Sequence, residues 1–74
     1  MTITAAQIRA ARGLLEWSRV RLALRANVRM HLVSLAERES RTLPVRGLDE
    51  IQRTLEAAGI EFTKGDPGVK LNAP

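Results

Sequence analysis

The chain has 74 residues, no cysteine, one histidine and a formal net charge of +4 at pH 7. Such a chain makes one small domain, and without disulfides or a cysteine-bound metal we expect self-association to add stability. With no glycine-rich phosphate loop and no acid pair beside a nucleophile, we expect no enzyme, metal, cofactor or small-molecule ligand. No apolar run approaches the roughly 18 residues that cross a bilayer, which favours a cytoplasmic protein without a membrane partner.

The charges are divided unevenly along the chain. Residues 1–46 hold nine arginines and three acids, a balance of +6, whereas residues 47–74 hold three basic residues and five acids, a balance of −2. Arginine suits bidentate contacts with phosphate. A GC-rich genome would also favour arginine codons, but it would not separate the acids from the bases. The division therefore predicts one face for a polyanion and another for a different role.

Helix 1 has a clear start signal. Thr4 and Gln7 have the spacing of a capping box, and Ile3 and Ile8 have that of a hydrophobic staple. These signals predict a helix over 5–16. Its apolar residues recur at helical spacing: Ile8, Ala11, Leu14 and Leu15.

Helix 2 is predicted over 19–25, with Ser18 as its N-cap. Asn27 tolerates a left-handed backbone, so it can close this helix and open a tight turn. Trp17, just before the helix, is interpreted as a core anchor. The residues expected to face inward are Leu22, Ala23 and Ala26.

Helices 3 and 4 are predicted over 29–38 and 47–58, because apolar residues recur in each at three- and four-residue spacing. Between them the polar segment "ESRTLPVRG" (39–47) contains Pro44, which predicts a loop. Gly59 stands where a helix-closing glycine is usual.

The tail, residues 60–74, changes period. Apolar and polar residues alternate on both sides of the turn sequence "KGDPG", which predicts a β-hairpin. A lone hairpin is poorly stable in water, so it must lie on the helices or pair with a second copy. The candidate dimer contacts are its apolar residues, Ile60, Phe62, Val69 and Leu71.

The stretch Trp17–Arg38 resembles the Xre/Cro-like helix-turn-helix regulators, the fold family of the lambdoid phage repressors. The residues that carry the resemblance are Ala23, Asn27 (where the family usually has Gly), Val28 and Val33. It extends outward through "TAAQIRAARGLLEWS" and "LDEIQRTLEAAGIEF", and so covers residues 2–71. It implies a mainly α fold, a four-helix lambda-repressor-like domain (1–59) with a C-terminal β-hairpin (60–74). It further implies a homodimer on double-stranded DNA, with helix 3 in the major groove and helix 2 crossing the phosphate backbone.

The resemblance also implies roles for individual residues. The arginines of helices 2 and 3 and their surroundings would contact phosphate: Arg19, Arg21, Arg25, Arg29, Arg38 and Arg41. The residues at base-reading positions are Met30, His31, Ser34 and Leu35. Arg29 stands where the family usually has a capping Ser or Thr, and since an arginine accepts no capping bond, a weak start of helix 3 is expected.

Two departures from the family pattern leave two hypotheses open. Base readout favours Arg, Gln and Asn, whereas here only His31 and Ser34 can hydrogen-bond to base edges. The family places acids in helix 2, where this chain has Val20 and Leu24, one helical turn apart. One hypothesis is a DNA-binding transcription regulator with modest direct readout. The alternative is a protein-interaction module on the same frame, an antirepressor, co-activator or phage modulator that binds through Val20 and Leu24.

Overall fold

The structure is a computed structural model that describes residues 3–38, 46–63 and 68–72. Four helices are followed by a two-stranded antiparallel hairpin, which confirms the mainly helical class and the C-terminal hairpin. The elements are α1 (Ala5–Leu15), α2 (Arg19–Ala26), α3 (Met30–Arg38), α4 (Arg46–Ala57), β1 (Ile60–Thr63) and β2 (Gly68–Leu71). The hairpin turn at 64–67 and most of the predicted 39–47 loop lie outside the described residues.

The predicted capping box begins α1. The amide of Gln7 donates to Oγ1 of Thr4 (3.1 Å), and the amide of Thr4 donates to Oε1 of Gln7 (2.8 Å). The helix ends at Leu15, because Glu16 adopts a left-handed backbone with φ of 56°. The sequence did not predict this corner, since glutamate rarely adopts that conformation. Leu14, expected on the apolar face of the helix, is 45% exposed.

The core lies where the helices and the hairpin meet. Helix α2 packs against α3 and α4, α1 packs against α3, and the hairpin places β2 on α1 and β1 on α4. Every helix contributes a fully buried apolar side chain, and the largest are Ile8, Leu22, Val33, Ile51 and Leu55. The hairpin therefore lies on the helices of its own chain, the first of the two arrangements that its low intrinsic stability allowed.

One side chain fastens the hairpin to α1. Nε2 of Gln7 donates to the carbonyl oxygens of Thr63 (3.1 Å) and Gly68 (3.0 Å), which are paired residues of β1 and β2. Gln7 is only 4% exposed, so these bonds are shielded from water. Gln7, which belongs to the capping box of α1, thus also fixes the position of both strands.

Two glycines of the α4 region have steric roles. Gly59 follows the helix with φ of 106°, as a helix-closing glycine requires. At Gly47, an added Cβ would lie 1.8 Å from Cδ2 of Leu32. The absence of a side chain at Gly47 therefore lets the start of α4 approach α3 closely.

Candidate nucleic-acid interface

Helices α2 and α3 form a compact pair joined by a left-handed residue. Oγ of Ser18 accepts from the amide of Arg21 (3.0 Å) and caps α2 as predicted. Asn27 closes α2 with φ of 56°, and the amide of Val28 donates to the carbonyl of Ala23 (3.0 Å). Ala23 is 5% exposed and Val33 is fully buried, so small residues allow the two helices to approach. The predicted tight turn between two short helices is confirmed.

The outer surface of this pair carries arginines without exposed acids. Glu37 is the only acidic residue between Trp17 and Arg38 in the sequence, and it is buried. The side chains left exposed to solvent are Arg19, Arg21, Arg25, Arg29 and Arg38. No exposed carboxylate of α2 or α3 offsets their charge, so the pair itself presents a positive surface to an approaching polyanion, although Glu50 of α4 lines a surface groove together with Arg29. Arg41, the sixth predicted phosphate contact, lies outside the described residues.

Glu37 is the centre of an arginine network that holds α3 in place. Its carboxylate, fully buried, accepts from Nε and Nη2 of Arg12 (2.7 and 3.1 Å) and from Nε of Arg19 (3.1 Å). Its backbone carbonyl accepts from Nη1 of Arg9. Hydrogen bonding to Glu37 raises the pKa of the Arg12 guanidinium above its ordinary value, against the opposing effect of burial. The network links α1, α2 and α3 through one carboxylate.

The sequence reasoning did not single out Glu37 or Arg12, although a signal was present. Glu37 follows Val33 by four residues, which puts it on the stripe of α3 that faces the core. A charged residue on such a stripe needs a partner, because burying an unpaired charge is costly. The network also fixes the α1–α2 corner, since Nη1 of Arg12 donates to the carbonyl of Trp17 (3.0 Å).

Two of the predicted phosphate-binding arginines are oriented by neighbouring side chains. Nε of Arg19 donates to the carboxylate of Glu37, and 47% of the Arg19 side chain stays exposed. The guanidinium carbon of Arg25 lies 5.3 Å from the ring centroid of Trp17, a cation–π contact. Trp17 itself is half-buried and packs against the core, in agreement with its interpretation as a core anchor.

The base-reading candidates differ in accessibility. Met30 is 40% exposed and His31 is exposed, whereas Ser34 and Leu35 are half-buried. Helix α3 begins at Met30, and the carbonyl of Arg29 accepts from the amides of its first turn. The surface that α3 offers a base edge is therefore short and contains few hydrogen-bonding groups.

The four candidate dimer contacts are used mainly within one chain. Ile60 is 3% exposed, Phe62 is 9% exposed, and Val69 packs against the same core. Only Leu71, at 41%, keeps a large exposed fraction. Ile60 and Phe62 thus have almost no surface to offer a second copy while the hairpin stays on its own helices. Self-association stays a prediction.

Within residues 3–38, 46–63 and 68–72, no three His, Asp or Glu side chains group as metal ligands would. In the same part of the chain, no helix has both the length and the apolar character that crossing a membrane requires. Comparison with models of protein families gave no match, and no curated protein matches the chain. The geometry and charge of α2 and α3 are therefore the features that bear on function.

Proposed function

We propose that the chain is a DNA-binding transcription regulator of the Xre/Cro-like helix-turn-helix kind, with a lambda-repressor-like fold. The observation that carries the proposal is the paired α2 and α3, whose outer surface bears arginines and no exposed acid. A short helix pair with a tight turn is the geometry that enters a major groove. Arginine is also the residue best suited to bidentate phosphate contacts.

In this proposal α3 enters the major groove while α2 crosses the phosphate backbone. Arg21, Arg25 and Arg29 contact phosphate, and Arg19 contributes the exposed part of its guanidinium. His31 is exposed and supplies the main hydrogen bond to a base edge, with Ser34 in support. Direct readout is modest, so DNA shape and the spacing of two half-sites supply much of the specificity.

The Glu37 network supports this function by holding the α2–α3 pair rigid. Arg12 anchors Glu37 from α1, and Arg19 anchors it from the first residue of α2. A preorganised pair loses less conformational entropy when it binds than a loose pair does. The regulator acts as a homodimer in the cytoplasm, each copy contacting one half-site.

The test is the salt dependence of binding to duplex DNA that contains the chain's own promoter. The slope of log K against log salt is negative, and each lost phosphate contact reduces its magnitude by about 0.9. The double variant Arg21→Gln/Arg29→Gln should therefore reduce the magnitude of the slope by about 2, whereas Arg53→Gln, which alters an exposed arginine on α4, should leave it unchanged. Equal slopes for both variants, or equally weak binding of promoter and random duplex by the wild type, would contradict the proposal.

A second function, a protein-interaction module, is favoured by the apolar side chains on α2. Val20 and Leu24 are exposed beside the arginines. This function does not exclude DNA binding, since a regulator can hold both kinds of partner.

A further inference from the structure

The exposed side of α2 carries a short apolar strip, Val20 and Leu24. Val20 is 54% exposed, and Leu24, at 76%, is more exposed than any other large apolar side chain in the described residues. They lie one helical turn apart, so they share a face. The opposite face of α2 is buried through Leu22, Ala23 and Ala26. The strip is therefore not part of the core, and the apolar area of the strip is available to a partner.

A shallow surface groove runs beside the strip. It has a volume of about 410 Å³, and its lining residues are Ser18, Val20, Arg21, Leu24 and Arg25. The lining thus combines two apolar side chains with two arginines and contains no carboxylate. Scattered exposed apolar residues need no explanation, but two neighbours beside a cationic groove form a composite surface.

We infer that this surface binds an acidic amphipathic helix of a protein partner. Apolar side chains at i and i+4 of that helix pack on Val20 and Leu24, and its flanking carboxylates pair with Arg21 and Arg25. Helix-in-groove recognition uses this spacing of apolar anchors. Charge complementarity selects an acidic helix over a neutral or basic one and accelerates its association.

Duplex DNA does not match the strip itself. Phosphates could pair with Arg21 and Arg25, but the sugar–phosphate backbone offers no apolar group of comparable size to Val20 and Leu24. The free energy of Val20 and Leu24 falls most when an apolar surface replaces the water around them. The strip therefore favours a protein occupant.

Helix α4 of a second copy does not match the strip either. Its exposed residues include Asp49, Glu50 and Glu56, which would suit the arginines. Its large apolar side chains are turned inward, with Ile51 and Leu55 fully buried, and none of the exposed large apolar side chains in the described residues lies on α4. A second copy would thus supply the charge without the apolar anchors.

A regulatory consequence rests on the proposed DNA binding. The acidic helix and the phosphates would both use Arg21 and Arg25, so the two ligands compete. A partner of this kind would release the regulator from DNA, or be released by DNA.

The experiment selects displayed helical peptides on the full chain, with counter-selection on Val20→Ser/Leu24→Gln. This variant removes the apolar strip without changing the charge, and both side chains are exposed, so folding should be retained and can be checked by circular dichroism. The control is Leu14→Gln, which alters an apolar side chain of α1 that is 45% exposed. Enriched peptides should be acidic, with apolar residues at i and i+4. Their affinity should fall at least ~10-fold with the double variant or with Arg21→Gln/Arg25→Gln, and should be unchanged with Leu14→Gln.

Three results would overturn the inference. The first is enrichment of neutral or basic peptides, or of none. The second is a change in sedimentation of the chain alone with Val20→Ser/Leu24→Gln, which would make the strip a contact between copies. The third is a loss of promoter affinity with that variant as large as that of the arginine variants, which would assign the strip to DNA. Promoter binding without peptide is measured separately, so a failure of the proposed function is distinguishable from a failure of this inference.

Discussion

The substitution Glu37→Ala isolates the contribution of the buried arginine network. It removes a fully buried carboxylate and three charge-assisted hydrogen bonds, two from Arg12 and one from Arg19. Removing one partner of a buried ion pair typically costs about 3–5 kcal/mol. Here the side chains of Arg12 and Arg19 are 22% and 47% exposed, so both can partly turn to water. The expected loss is therefore smaller, about 2–4 kcal/mol in the free energy of unfolding.

Such a loss is large for this chain. At roughly 0.05–0.15 kcal/mol per residue, a chain of 74 residues has a total stability of about 4–11 kcal/mol. A loss of about 3 kcal/mol should lower Tm by roughly 10–25 °C in a domain of this size. Urea denaturation followed by circular dichroism, with the slope m compared between variants, measures the change.

Two further variants make the test specific. Glu50→Gln alters an exposed acid on α4 and should change the stability by less than about 0.5 kcal/mol. The double variant Arg12→Met/Glu37→Met should be more stable than Glu37→Met alone, because it leaves no unpaired Arg12. Equal stability of Glu37→Ala and Glu50→Gln would refute a stabilising role of the Glu37 network. Because hydrogen bonding to Glu37 raises the pKa of Arg12, the contribution of Arg12 to stability should be present throughout the neutral range and be lost only as the pH rises through that pKa.

Two further predictions concern packing and the hairpin. Gly47→Ala should lower the free energy of unfolding by about 1–3 kcal/mol, because the added Cβ overlaps Leu32. Gly13→Ala should instead raise it by about 0.5–1 kcal/mol, because alanine favours a helix and the added Cβ meets no atom within 4 Å. Thermal melts that show equal effects of the two substitutions would contradict this contrast. Gln7→Ala removes the donor to both strands, so amide exchange in the hairpin should accelerate more than exchange in α2 and α3. Unchanged hairpin protection in Gln7→Ala would show that the hairpin does not depend on this side chain.

The sequence by itself determined several local boundaries of the fold, although not the end of α1 at Glu16. Thr4, Ser18, Asn27 and Gly59 act through backbone groups a few residues away, so their signals could be interpreted without knowledge of the rest of the chain. The period change at Ile60 likewise predicted the hairpin. The concentration of arginines in the first part of the chain was also evident, and it led to the candidate polyanion face.

Only the tertiary structure decided how distant residues are used. Arg12 and Glu37 are 25 residues apart, and no local pattern shows that they meet. Arg19, to which the resemblance gave a phosphate contact, also donates its Nε to Glu37. Whether the hairpin lies on its own helices was undecided, because alternation fixes the faces of a strand but not the surface it packs against. The burial of Ile60 and Phe62 and the exposure of Leu14 and Leu24 depend on the same packing. Caps and turns act over a few residues, whereas burial and ion pairing are set by contacts between elements far apart in the sequence.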